Sequence, residues 1–245
     1  MVSSQIFAMG GGGFSMEPEN PLLDDHLLSL VDTGRTPRVC FIPTASGDSE
    51  GYIARFMDAF GPDRAEASVL TLFKRTVQDL HAYVMSQDII YVGGGNTANL
   101  LAIWRVHGLD VVLKEAYQSG VIMAGVSAGM NCWFEASVTD SFEADGCGPL
   151  PDGIGLIPGS ACPHYDGEAL RRGCYLGLVQ TGFPAGYAAE DGVGLHFKDG
   201  ELADVVTSRE GAAAYALARG DLKASEQRIP ARYLGAKSEP APSSL

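Results

Sequence analysis

Val121-Ile122-Met123-Ala124-Gly125-Val126-Ser127-Ala128-Gly129 is the stretch on which the fold turns. Its first five residues are apolar throughout, as a strand covered on both faces must be, and they run into a bend of small residues. Residues 130–136 then read as a helix. Three other runs share this design. Residues 5–9 (QIFAM) enter four glycines, 38–42 (RVCFI) enter Pro43, and 88–92 (DIIYV) enter Gly93-Gly94-Gly95. Helical patterns separate them over residues 20–31, 51–60, 76–85, 99–104 and 109–118. This alternation predicts an α/β fold, a mostly parallel sheet sandwiched by helices. Ligands of such sheets bind beyond the carboxyl ends of the strands, where the glycine-rich segments fall.

Beyond residue 146 the texture changes. Gly, Pro and Asp crowd residues 145–167, which read as loops. Short strands follow over 193–197, 202–206 and 213–217, the first two joined by the hairpin signal Lys198-Asp199-Gly200. The second half is therefore expected to add antiparallel strands to the sheet. The expected organisation is one domain over residues 1–235. The polar, Pro/Ser-rich residues 236–245 are expected to be a disordered tail.

The 245 residues carry 17 Lys+Arg against 30 Asp+Glu, a formal net charge of −13. Such a chain repels phosphate backbones and anionic membrane surfaces, so neither nucleic acid nor membrane is an expected partner. No apolar run is long enough for a membrane span, and the N-terminus lacks the basic start and apolar stretch of a secretory signal. The five cysteines are odd in number and form no CxxC pair. That argues against a disulfide framework or a zinc site and suits the cytoplasm.

Glycines at 125 and 129 flank Ser127 as a nucleophile elbow requires, because a tight strand-to-helix bend leaves no room for side chains. The Ala128 N–H then stands at a helix start, where developing negative charge is favoured. A serine hydroxyl needs a base. Of the five histidines, His26, His81 and His107 sit in or beside helices as surface or capping residues, and His196 alternates with apolar neighbours as a solvent-facing strand residue would. His164 lies in the turn-rich loop CPHYDG. Asp191, its neighbour Glu190, and Asp140 are the candidate acids to orient it, and spacing does not choose among them. Gly95 is placed to give a second backbone donor. Asn96 is a helix-capping residue and a candidate substrate contact. The run at Gly10–Gly13 is followed by Pro18 and Pro21 where a dinucleotide-binding helix should begin, which argues against a nucleotide. His164, Asp166 and Glu168 have the chemistry of metal ligands, but in such a loop they read as a hydrogen-bonding cluster. No metal or cofactor is expected.

Five segments in order, AMGGGGFSMEP (8–18), YVGGGNTANLL (91–101), AGVSAGMNCWF (124–134), GLIPGSACPHYDGE (155–168) and GYAAEDGVGLHF (186–197), resemble the peptidase E family. These are serine peptidases that include aspartyl dipeptidases, with cyanophycinases as distant relatives. The resemblance implies a class I glutamine-amidotransferase-like α/β sandwich. It implies Ser127 as nucleophile, His164 as base, Asp191 as third acid with Glu190 as fallback, and Gly95 and Ala128 as oxyanion-hole amides. It implies a small peptide substrate, such as a dipeptide beginning with aspartate, whose carboxylate Arg171 or Arg172 would read. The order serine, histidine, acid differs from that of α/β-hydrolases. Cyanophycinase-like hydrolysis of other acidic peptides, or a non-catalytic binding module, are the competing expectations. Self-association stays open.

Overall fold

The computed structural model describes residues 3–142 and 146–235, so the expected tail at 236–245 lies outside the described residues. The chain runs β1 (Gln5–Met9), α1 (Gly13–Met16), α2 (Leu22–Ser29), β2 (Arg38–Ile42), α3 (Glu50–Ala59), β3 (Glu66–Val69), α4 (Leu80–Met85) and β4 (Ile89–Val92). It continues through α5 (Thr97–His107), α6 (Leu109–Gln118), β5 (Ile122–Val126), α7 (Ala128–Asn131), β6 (Phe134–Thr139), β7 (Gly148–Leu150) and β8 (Ile157–Cys162). Then come α8 (Arg171–Gln180), β9 (Gly186–Ala189), β10 (Val193–Lys198), β11 (Glu201–Thr207), β12 (Ala213–Ala218), β13 (Ser225–Pro230) and β14 (Arg232–Tyr233).

Two sheets form. The larger has the order β14-β11-β10-β1-β5-β4-β2-β3. Its centre, β1, β5, β4, β2 and β3, is parallel. β10 and β11 extend it antiparallel, through a hairpin at Asp199-Gly200. The smaller sheet has the order β13-β12-β9-β8-β6-β7. The period of two along a strand divides the core. Phe7, Phe41, Tyr91 and Ala124 pack on one face of the larger sheet with Phe14, Leu23 and Phe56 of α1, α2 and α3. Ile6, Cys40, Ile90 and Met123 pack on the other face with Val84, Trp104 and Leu113 of α4, α5 and α6, and with Phe134, Ala161 and Ala214 of the smaller sheet. The far side of that sheet is covered by Tyr175 and Val179 of α8. The α/β class with antiparallel additions is therefore observed, with a second sheet that sequence reading did not anticipate.

Several expectations need correction. The helix expected over 130–136 stops at Asn131 after one turn. The carbonyls that would continue it are taken by a distant segment: Ile154 N–H donates to Cys132 O at 2.8 Å and Leu156 N–H to Trp133 O at 2.8 Å. The loops expected over 145–167 contain β7 and the largely buried β8, whose Gly159 takes φ 85° beside the Ala185 carbonyl. The helix expected from residue 76 begins at Leu80, because the Asp79 side chain caps it by accepting from Ala82 N–H at 2.9 Å. His196 does not face solvent. It is 3 % exposed, pairs with Gln5 Oε1 at 2.9 Å, and burial lowers its pKa to about 4.

Candidate active site

Ser127 stands at the carboxyl end of β5, between the ends of β1 and β4. Its backbone is forced into φ 58°, ψ −111°, a region a non-glycine residue enters only when its surroundings impose it. Those surroundings are backbone. A Cβ on Gly125 would lie 2.3 Å from Gly129 O, and one on Gly129 would lie 2.2 Å from Val92 O. The Ser127 N–H donates to Met9 O at 3.0 Å, and its carbonyl accepts from Met130 and Asn131 at 2.9 and 3.0 Å. The bend is thus bolted to β1 on one side and to α7 on the other.

The residues after Met9 receive two more segments. His164 N–H donates to Gly10 O at 3.3 Å, and Gly192 N–H donates to Gly11 O at 3.0 Å. Three successive carbonyls at the end of β1 therefore anchor the serine bend, the histidine loop and the turn carrying Asp191. Glycine is needed at these positions. A Cβ on Gly11 would fall 2.1 Å from Asp191 Oδ1, and one on Gly10 would fall 2.5 Å from Ala189 O. His164, like Ser127, has positive φ, 53°.

His164 Nδ1 and Asp191 Oδ1 are 2.7 Å apart, with the two side chains 14 % and 10 % exposed. The Asp191 carboxyl is held below the usual carboxylate range by the hydrogen bond from His164, against the opposing effect of burial, with help from the Arg209 guanidinium 3.9 Å away. Asp191 N–H donates to Asp166 Oδ1 at 2.8 Å, and Arg209 is itself held by Glu17 at 2.7 Å. Neither His164 Nε2 nor Ser127 Oγ has a hydrogen-bond partner among the described residues.

The other two acids go elsewhere. Glu190 accepts from Ala213 N–H and Tyr215 Oη–H, each at 2.8 Å. Asp140 faces Arg171 Nη2 at 3.6 Å. Arg171 is 3 % exposed, with Nε on Glu168 and Nη1 on Val138 O at 2.9 Å, and it lines the cavity beside Ser127. Arg172 is exposed, pairs with Glu226 and lies over the rings of Tyr165 and Tyr215. It takes no part in the cavity beside Ser127.

That cavity, about 280 Å³, is lined by Gly95, Asn96, Ser127, Asp140, Glu168 and Arg171. Asn96 caps α5, accepting from Asn99 N–H at 2.8 Å and donating to Ser141 O at 3.1 Å. Gly94 N–H is taken by Tyr52 Oη at 3.1 Å, whereas the amides of Gly95 and Ala128 have no partner among the described residues. Among the described residues no group of three or more His, Cys, Asp and Glu side chains is placed to hold a metal ion, and no helix is long and apolar enough to cross a membrane.

Sequence reading missed the roles of Gly10, Gly11, Tyr52, Glu168 and Arg209. Only the glycine run carried a visible signal, since four glycines closing a strand announce a close approach.

Known proteins fit this architecture. The sequence model of peptidase family S51 matches residues 6–205. A Bacillus subtilis (strain 168) protein named uncharacterized peptidase YgaJ is 50% identical over 234 residues, 94% of this chain and 99% of that protein. A Streptomyces coelicolor protein named peptidase E is 31% identical over 144 residues, 58% of this chain and 57% of its own. The crystal structure of a peptidase from an acI-B1 Actinobacterium superposes with TM-score 0.64 at 19% identity, covering 93% of this chain and 94% of that one, a likeness of fold. By the extent of the family match and by its half-identical relative, the chain belongs to peptidase family S51, the serine-type peptidases of the peptidase E kind.

Proposed function

We propose that the protein hydrolyses short peptides by acyl transfer to Ser127, with His164 as general base and acid and Asp191 as its orienting partner. The observation that carries this reading is the anchoring of all three segments on Met9, Gly10 and Gly11. Three chemically suited side chains from distant parts of the chain share one strand end, and two of them hold positive φ there.

The Asp191 carboxylate on Nδ1 selects the tautomer in which Nε2 is unprotonated and can accept a proton. Nε2 takes the Ser127 hydroxyl proton as Oγ bonds to the scissile carbonyl carbon. The carbonyl electron pair moves onto oxygen. The oxyanion falls to the N–H groups of Gly95 and Ala128, which have no partner among the described residues, the latter at the start of α7. As the C–N bond breaks, His164 gives its proton to the departing amine, leaving an ester on Ser127. Water, deprotonated by the same nitrogen, then releases the acid.

A fluorophosphonate probe and a dipeptide panel test the reading. Ser127 is expected to label, and Ser127→Ala to lose both labelling and ~10⁶-fold of turnover while keeping its fold by circular dichroism. Wild-type turnover in that variant would end the proposal. A folded wild-type protein that neither labels nor cleaves any peptide would be a binding module instead.

A further inference from the structure

Resting on that peptidase reading, we infer that Arg209, held by Glu17, is a positioning residue whose charge keeps the Asp191 carboxylate on His164 and sets the pH at which the imidazole is free to act as base. The two Asp191 oxygens have different surroundings. Oδ1 meets His164 Nδ1 at 2.7 Å, whereas Oδ2 receives no hydrogen bond among the described residues and faces Arg209 Nη1 at 3.9 Å. Backbone closes on both oxygens. A Cβ on Gly11 would fall 2.1 Å from Oδ1, and one on Gly167 would fall 2.7 Å from Oδ2.

The arginine is built into this place. Just after β11, its N–H donates to Thr207 Oγ1 at 3.0 Å, and its carbonyl accepts from the same hydroxyl at 2.9 Å. Ser208 N–H donates to Gly192 O at 2.8 Å, which ties the segment to the residue after Asp191. The side chain then lies across Gly192, where a Cβ would come 2.7 Å from Arg209 Cγ. Glu17, at the end of α1, fixes the guanidinium. Its Oε1 accepts from Arg209 Nε at 2.7 Å and its Oε2 from Ser208 Oγ at 2.7 Å. Arg209 does not line the cavity beside Ser127. Among the described residues the charged groups about Asp191 are His164 and Asp166 from the loop after β8, Arg209, and Glu17 behind it. Neighbouring Glu190 is turned to Ala213 and Tyr215. Protonating the imidazole adds positive charge to this cluster. Arg209 opposes that step and Glu17 favours it. Arg209 also favours the ionised carboxylate, the form that accepts most strongly from Nδ1–H.

The experiment follows the pH dependence of two quantities: the rate of Ser127 labelling by a fluorophosphonate, and kcat and KM for Ala-Leu and Asp-Leu. It compares the wild type with Arg209→Met, Arg209→Lys and Glu17→Gln. Labelling needs the unprotonated imidazole but no particular peptide. Arg209→Met is expected to move the acid limb of both profiles up by ~0.5 pH units, with KM nearly unchanged. Arg209→Lys, which keeps the charge, should return the limb to its wild-type place. Glu17→Gln, which keeps the volume and removes the opposite charge, should move the limb down. A limb that neither Arg209→Met nor Glu17→Gln moves, with only thermal stability lost, overturns the inference and leaves the peptidase reading standing. So does a rise in KM for Asp-Leu alone, which would make Arg209 a contact for the substrate. If Arg209→Met does not fold, Glu17→Gln decides: a downward shift supports the inference and an unmoved limb overturns it. A wild type that neither labels nor cleaves overturns both readings.

Discussion

The two flanks of Ser127 are built from different materials. On the β1 flank the contacts are backbone to backbone: Met9, Gly10 and Gly11 hold the serine bend, the histidine loop and the acid turn, and a Cβ at Gly11 would occupy the space of Asp191 Oδ1. On the cavity flank the contacts are side chain to side chain, among Asp140, Glu168 and Arg171, with both carboxylates about half exposed. A backbone lattice closed by glycine tolerates almost no substitution. A ring of charged side chains can be rewritten one residue at a time. The division implies that changes on the first flank cost rate with every substrate, and changes on the second reorder substrates.

The largest effect expected from the β1 flank, after loss of the serine itself, is that of Asp191→Asn. An amide on Nδ1 favours the wrong imidazole tautomer while leaving the shape intact, and the proposed mechanism predicts a fall of ~10⁴ in kcat. The fall should be the same for every peptide in the panel. Glu190→Gln should cost far less rate, because Glu190 is engaged with Ala213 and Tyr215 and not with the imidazole. Steady-state kinetics of the two variants side by side checks both statements. Equal losses would mean that the adjacent acids share the task and that the β1 flank is less exclusive than its geometry implies.

That contrast also shows where sequence reading ran out. The bend at Ser127 was legible because its cause is local: two close backbone approaches demand glycine two residues before and two after. The apolar runs of β1, β2, β4 and β5 were legible because burial on both faces confines polar residues to the first positions of β1 and β2, Gln5 and Arg38. The choice among Asp191, Glu190 and Asp140 was not. It depends on which acid meets an imidazole 27 residues away, and that is decided by where β9 and β10 separate into different sheets. β8 and β9, IPGSAC and GYAA, escaped notice because small residues carry little strand signal on their own. Their smallness has a tertiary cause: a Cβ on Gly186 would lie 1.9 Å from Ser160 O across the pair. The covering of Arg171 was illegible for a similar reason, since its carbonyl partner Val138 lies 33 residues away.

A smaller effect tests how the cavity flank borrows rigidity from the core. Tyr52, on α3, reaches up with its hydroxyl, which accepts from Gly94 N–H at 3.1 Å and pairs with Ser15 Oγ at 2.6 Å. This bond ties down the glycine loop next to the Gly95 amide, which has no partner among the described residues. Tyr52 does not line the cavity beside Ser127 and acts through the glycine loop, as a positioning residue. Tyr52→Phe should lower kcat by about tenfold, less than the ~10²–10³ of a deleted oxyanion donor, with KM nearly unchanged. A change in KM alone would place Tyr52 in recognition and blur the division between the flanks.

The smallest effect concerns stability rather than rate and belongs to the β1 flank. Asp24, in the first turn of α2, accepts the Phe14 N–H at 2.7 Å just beyond the glycine run, and its Oδ1 is buried with no partner among the described residues. Burial pushes its pKa from 3.8 up to about 7. The folded protein therefore holds a proton that the unfolded chain releases more easily. The stabilisation from that proton is complete below 3.8 and is lost as the pH rises through about 7. Asp24→Asn keeps an acceptor for Phe14 and carries no charge to bury. It should stabilise the protein by ~1 kcal/mol at pH 8 and have little effect at pH 4. Urea unfolding at the two pH values measures the difference. If the variant is destabilised equally at both, the carboxylate is needed for its shape and not tolerated despite its charge. The anchoring of the glycine run would then depend on a side chain after all, and the contrast between the two flanks would weaken at its root.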